Sequence, residues 1–176
     1  MGYSIPPGDG EQPHPEYRIR EMALDDLPIV YALGERLFTA EKWPVLFRTW
    51  DAYELVGLFA TDGEYCLVAE TDGNPVVGFA LATLVEKRQR AVRIGYLLWM
   101  GVDPDYTRHG IGRQLVDSMT RLFIENGAQI MQVDTAADNV DALRFFRKLG
   151  FGDELAHLYL TRDLTDALRN SRTDEH

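Results

Sequence analysis

The chain has 176 residues and a mass of 20.0 kDa, enough for one domain whose core needs no disulfide or metal staple. Apolar residues make up 45% and charged residues 26%, as in a soluble globular protein, and no apolar run approaches the roughly 20 residues that span a bilayer. The formal net charge of −10 argues against a nucleic-acid partner, because phosphate binding needs a basic surface. The same acidity suits a cationic acceptor such as an amine, or serves solubility alone, and composition does not separate the two.

Met1–Pro15 reads as a flexible or extended arm, with Pro6-Pro7-Gly8-Asp9-Gly10 and His14-Pro15 as its breakers. The opening residues carry neither a basic region nor an apolar run, so no signal peptide is expected. Pro6 also stands where a myristoylation signal wants Ser or Thr. The expected compartment is the cytoplasm.

Tyr17–Arg20 alternates and predicts a first strand, and Asp25 or Asp26 can cap a helix running to about Leu37. A second helix is expected over Trp50–Ala60. Strands follow at Tyr65–Thr71, Val76–Val85 and Val92–Val102, the first two joined by the turn Asp72-Gly73-Asn74-Pro75. Cys66, the only cysteine, falls in the first of these and reads as a small buried hydrophobe rather than a nucleophile. A long amphipathic helix is expected at Gly110–Asn126, stopped by Gly127. Then come a strand at Ile130–Thr135, a helix at Asn139–Leu149 and a last strand at Leu155–Thr161. The folded unit is placed at 16–164, and a polar tail at 165–176. Strands that first meander and later alternate with helices predict an α/β protein with a mixed sheet flanked by about four helices. His14, His109, His157 and His176 show no metal-ligand spacing, so no metal is expected.

The most informative segment is Met100-Gly-Val-Asp-Pro-Asp-Tyr-Thr-Arg-His-Gly-Ile-Gly-Arg-Gln-Leu115. A strand ends at Val102, Pro104 prevents its continuation, and a glycine-bearing turn feeds straight into a helix. Such a junction leaves backbone N–H groups pointing outward at the positive end of the helix dipole. Gly110 and Gly112 remove side chains that would block a ligand, and Arg108, Arg113 and His109 add positive charge. The physical reading is a diphosphate cradle formed by Arg108, His109, Gly110, Ile111, Gly112 and Arg113. A dinucleotide fingerprint would need glycine at Leu115, and no Gly-Lys-Ser/Thr follows Gly110, so neither a Rossmann site nor a P-loop is indicated. The plain alternative is a tight strand-to-helix turn.

Val102-x-Pro104 followed by five residues and Gly110-x-Gly112 resembles the acyl-CoA motif of the GNAT superfamily of N-acetyltransferases. Asn139-x-x-Ala142-x-x-Phe145-Phe146-x-x-x-Gly150-Phe151 resembles that superfamily's other C-terminal motif, in the expected order and at the expected distance. The resemblance covers about Tyr17 to Leu164. It implies a sheet of six to seven strands, splayed between the strands ending at Val102 and Thr135, with the pantetheine arm of acetyl-CoA lying in the gap. It further implies that backbone groups of Leu98, Met100 and Val102 bond the pantetheine, and that an N–H on Trp99–Gly101 faces the thioester oxygen. A local bulge at Gly101 is plausible. Asn139 and Phe146 would lie against the cofactor, and Asn139 can equally cap its helix.

Two departures from the family pattern stand out. Thr107 occupies a position where Arg or Gln is usual. Phe146 occupies the position of the tyrosine that often protonates the leaving thiolate, so an acid must come from Tyr96, Tyr106, Tyr159 or water. For the base, some branches carry a Glu where this chain has Tyr96. Others carry one five residues before the motif Asn, which lands on Asp134. Asp134 is one methylene shorter and would act through a water, and its structural alternative is a strand-end carboxylate in a turn network. Glu86 is a weaker candidate. On the acceptor side the family's helix-linking segment corresponds to Phe38–Asp51, where Trp43 and Trp50 can stack on a substrate or staple the segment to the core; Trp99 poses the same choice. The resemblance thus implies an N-acetyltransferase acting on a small-molecule or protein amine, commonly as a homodimer. The competing function is a non-catalytic acyl-CoA-binding module.

Overall fold

The computed structural model of the protein describes residues 16–39, 49–87, 92–155, 158 and 160. The expected arm and tail, Trp43 and Tyr159 lie outside them.

Among the described residues, five strands form one sheet in the order β1-β2-β3-β4-β5. They are β1 (Tyr17–Glu21), β2 (Cys66–Thr71), β3 (Asn74–Lys87), β4 (Val92–Val102) and β5 (Ile130–Val133). β1 to β4 are a meander of antiparallel neighbours, and β5 joins β4 in parallel. Four helices, α1 (Leu27–Leu37), α2 (Ala52–Asp62), α3 (Ile111–Glu125) and α4 (Val140–Lys148), match the expected number.

The strand count corrects the expectation of six to seven. Leu155, Leu158 and Leu160, in the segment read as a further strand, are in no strand and stay 81% to 94% exposed. Apolar alternation marks a segment able to be a strand, but only a neighbour's backbone makes it one. β5 likewise stops at Val133, two residues short of the expected end.

The sheet separates two cores. On one face α3 and α4 lie over Leu67, Ala69, Val77, Ala80, Ala82 and Leu97, with Ile111, Leu115, Met119 and Phe123 forming the buried stripe of α3. That stripe follows from apolar residues spaced three and four apart. On the other face α1 and α2 cover Val68, Phe79, Leu81 and Trp99 with Val30, Leu33 and Leu55. Each large side chain so buried contributes about 1.5–3 kcal/mol. Cys66 is fully buried here, and burial pushes its thiol up to about 12, so it is a packing residue. No described helix is long and apolar enough to cross a membrane.

One polar network ties β1 to the entry of α1. The Arg20 guanidinium donates to both carboxylate oxygens of Asp26 at 2.6 and 2.9 Å and through Nε to Glu70. Asp26 also accepts the Ala23 N–H at 2.7 Å. These bonds, Arg20's foremost, hold the buried Asp26 carboxyl below the usual carboxylate range against the opposing effect of burial. A depressed folded value means that the stabilisation is complete above the unfolded value of roughly 4 and is lost as pH falls through the folded one. Thermal melts between pH 3 and 7 should therefore show the wild type losing stability below about pH 4 more steeply than Asp26→Asn. The variant should start lower at neutral pH by about 1–3 kcal/mol. Parallel profiles would remove the pair from the stability balance.

Candidate functional site

The site is built on a change of phase in β4. Leu81 of β3 faces Trp99, but the next residue, Ala82, faces Leu97, so Leu98 is an extra residue bulged out of the ladder. The bulge expected at Gly101 is thus three residues earlier. Gly101 pairs regularly with Phe79, and its missing side chain serves packing, since a Cβ there would lie 2.5 Å from Leu37 Cδ1.

The parallel pairing with β5 ends at the same place. Its last pair is Leu97–Val133, beyond which Leu98–Val102 keeps β3 on one side and has no described strand on the other. The sheet forks there, and alternate residues on the free edge direct N–H and C=O groups into the opening. Parallel pairing ends at Val133, two residues short of the Thr135 end that the resemblance implied for the splay.

At the end of this edge the chain enters the loop. Asp103 donates its N–H to Val77 O at 2.9 Å, and its carboxylate accepts from Arg36 Nη2 at 2.7 Å and from Asp105 N at 3.1 Å. Burial works to raise its pKa, but those bonds and the Arg36 charge hold it below the usual range. Arg36, 67 positions earlier in the chain, was not singled out by sequence; so distant a partner leaves no local signal. Thr107 folds back onto the turn Pro104–Tyr106, with its hydroxyl donating to Pro104 O at 2.9 Å, so it does not cap α3.

Arg108 and Gly110 both have left-handed backbones, φ 68° and 84°. The first ladder bond of α3 is Gln114 N to Gly110 O at 3.0 Å, which leaves the N–H groups of Ile111, Gly112 and Arg113 ahead of it at the helix start. Ile111 anchors the turn, with its side chain 1% exposed in the core. A Cβ on Gly112 would lie 3.4 Å from Phe145 Cζ and 3.8 Å from Val102 Cγ2, so α4 and the end of β4 border the first turn and leave room there for little more than a methyl group. Arg108 and Arg113 are exposed, and Arg113 Nε lies 3.5 Å from Asp117 Oδ2; His109 is half-buried between them. A concave backbone, open amides and flanking cations fit the diphosphate of a coenzyme A thioester.

Asn139 caps α4, with Oδ1 accepting from Ala142 N at 3.2 Å and Nδ2 donating to Thr135 Oγ1 at 3.2 Å. Phe146 is buried and packs edge-on to Phe145 and Phe151, with centroids 5.1 and 5.2 Å away. It is Phe145, not Phe146, that reaches Gly112.

Tyr96 pairs with Thr83, whose hydroxyl donates to Asp62 of α2 at 2.8 Å, so Tyr96 faces the α2 side. Gln132 pairs with Tyr96 across the parallel joint, while Met131 accepts from Thr120 of α3 on the other face. Strand alternation carried one residue past β5 would put the exposed Asp134 on the side of Gln132 and Tyr96. Tyr106 instead packs on the α3 side, and Glu86, 3.8 Å from Arg93 Nε, lies far down β3. α2 itself carries Glu54 and Asp62, with Asp51 as its cap, and no Lys or Arg.

Trp50 and Trp99 are core residues here, 8% and 5% exposed. Their rings meet at 5.2 Å, and their indole N–H groups donate to Tyr31 O at 3.1 Å and Glu54 Oε1 at 3.3 Å. The geometry supports the packing alternative for both. No described group of three or more His, Cys, Asp or Glu is placed to hold a metal ion.

The sequence profile of the acetyltransferase (GNAT) family matches residues 18–151, the stretch that contains the fork, the cradle and the capped helix. The chain belongs to the GNAT family. Among its relatives are an uncharacterised N-acetyltransferase of Methanocaldococcus jannaschii, 26% identical over 78% of this chain and 62% of its own, and human N-alpha-acetyltransferase 30, 31% identical over 86% and 36%. The chain therefore spans less than two thirds of the first of these proteins and little more than a third of the second. The ribosomal protein bS18-alanine N-acetyltransferase of Escherichia coli is 25% identical over 77% of this chain and 80% of its own. A soil-metagenome aminoglycoside acetyltransferase solved with trehalose superposes with a TM-score of 0.65 at 25% identity, covering 84% of this chain and 97% of its own.

Gly112→Trp should abolish measurable coenzyme A binding in calorimetry, because the ring must displace Phe145 or fill the cradle. Unchanged affinity in a folded variant would detach the loop from the donor site.

Proposed function

We propose that the protein is an N-acetyltransferase that moves the acetyl group of acetyl-CoA to a primary amine by direct attack in a ternary complex. The observation that carries this reading is the alignment of a glycine cradle with a sheet edge left open at a bulge. A diphosphate held at Arg108–Arg113 leads its pantetheine arm along Leu98, Met100 and Val102, where it bonds as an added strand. The thioester then reaches the bulge, where an N–H of Trp99–Gly101 stabilises the oxygen as charge develops on it. Asn139 and Phe146 border the arm from α4.

The amine nitrogen attacks the thioester carbon; the C–N bond forms, the C–S bond breaks, and the electron pair leaves on sulfur. Asp134, acting through a water, takes the proton from nitrogen. Tyr96, on the same face, is the acid we assign to the thiolate, with Tyr106, Tyr159 and water as alternatives. A thiolate is a tolerable leaving group near neutral pH, so Phe146 in the family's tyrosine position does not prevent turnover. The acidic α2 side suits an ammonium-bearing acceptor. The relatives' names cover protein α-amines and aminoglycosides, and both acceptor classes stay within this reading.

Calorimetric titration with acetyl-CoA, with free coenzyme A as comparison, should show saturable binding, and a panel of peptide and small-molecule amines should reveal turnover. Absence of binding at millimolar donor would sink the reading. Binding without turnover on any amine would favour the non-catalytic module. With an acceptor in hand, Asp134→Asn should lower kcat by roughly 10²–10⁴-fold and leave donor affinity nearly intact. An unaffected rate would remove Asp134 from the chemistry.

A further inference from the structure

β1 reaches the cradle from the far edge of the sheet. Ile19 pairs with Ala69, Ala69 with Gly78 and Gly78 with Val102, so Tyr17, at the start of β1, stands at the same end of the sheet as the cradle. Its ring packs against the α3-side core. Its hydroxyl lies beside the first turn of α3, where a Cβ built on Gly110 would be only 3.1 Å from Tyr17 Oη. The left-handed glycine, φ 84°, thus lets the phenol approach the loop backbone more closely than any other residue would.

Among the described residues no group hydrogen-bonds this hydroxyl. Burial pushes the phenol pKa upward, so it remains an O–H donor at neutral pH. The N–H groups that begin α3, the helix it approaches at Gly110, are donors as well. Donors gathered at one loop are satisfied by one acceptor with several lone pairs, and a phosphate oxygen is such an acceptor.

We propose that Tyr17 is a ligand of the acyl donor's diphosphate, donating its hydroxyl to a phosphate oxygen held by the amides at the start of α3. This rests on the donor site assigned above and adds to it a residue from the opposite edge of the sheet, outside both family motifs.

The test is Tyr17→Phe, which keeps the ring and removes only the hydroxyl. Calorimetry with coenzyme A should show affinity weakened roughly tenfold or more, as for a lost hydrogen bond to a charged group. The melting temperature of the unliganded variant should stay within a degree or two of wild type. Coenzyme A lacking its 3′-phosphate should show the same fold loss, since the diphosphate is common to both. Wild-type affinity in the variant would overturn the proposal while leaving the donor site standing. A loss confined to the 3′-phosphorylated form would overturn the diphosphate assignment, and a matching fall in melting temperature would reduce Tyr17 to a packing residue. Wild-type protein that bound no coenzyme A would overturn the donor site and this proposal together.

Discussion

Four residues of parallel pairing, Ile94–Leu97 against Ile130–Val133, and their abrupt end at the Leu98 bulge are the constraint on which the site depends. A continued ladder would fill every N–H and C=O on that edge with β5 and leave no place for a third extended segment. The bulge turns β4 out of phase just where its neighbour stops, so the same strand packs Leu97 toward α3 and Trp99 toward α1 and α2. Trp99 is held there by Phe38, Trp50 and the carboxylate of Glu54. The core on one face thereby fixes the backbone that the fork displays.

The two faces have different electrostatic characters. The loop before α3 gathers amides and the exposed guanidinium groups of Arg108 and Arg113, while α2 on the opposite face carries Glu54 and Asp62 and no Lys or Arg. Self-repulsion among the carboxylates is moderated by local bonds: Asp51 caps α2, Asp62 accepts from Thr61 and Thr83, and Glu54 holds Trp99.

Much of this was legible in the residue order. β4 was read with both of its ends, the β2–β3 turn from its Gly-Asn-Pro chemistry, and α3 from its apolar period and the glycine that stops it. The cradle was visible because glycine, proline and helix onset act locally. The bulge was not, since Leu97-Leu98-Trp99 is apolar throughout and a change of phase inside such a run alters no pattern. The roles of Trp50 and Trp99 depended on what faces them. Trp50 is buried because Gly34 makes room, a Cβ there falling 2.1 Å from the indole, and no spacing rule joins those positions. The Arg36–Asp103 pair escaped for the same reason. The strand expected over 155–161 failed differently at its described residues Leu155, Leu158 and Leu160, because period alone carries no information about pairing.

The order of the strands also sets an order of assembly. β2–β3 and β3–β4 are joined by short connections, whereas α3 separates β4 from β5 and both α1 and α2 separate β1 from β2. Loop closure makes sequence-distant contacts the slow ones, so β2 to β4 can pair before β1 and β5 dock on the two edges. The open edge beyond Leu97 takes its shape only once β5 is in place. A chain with only its central strands paired would still lack that edge, which makes the site a product of complete folding rather than of bulk secondary structure.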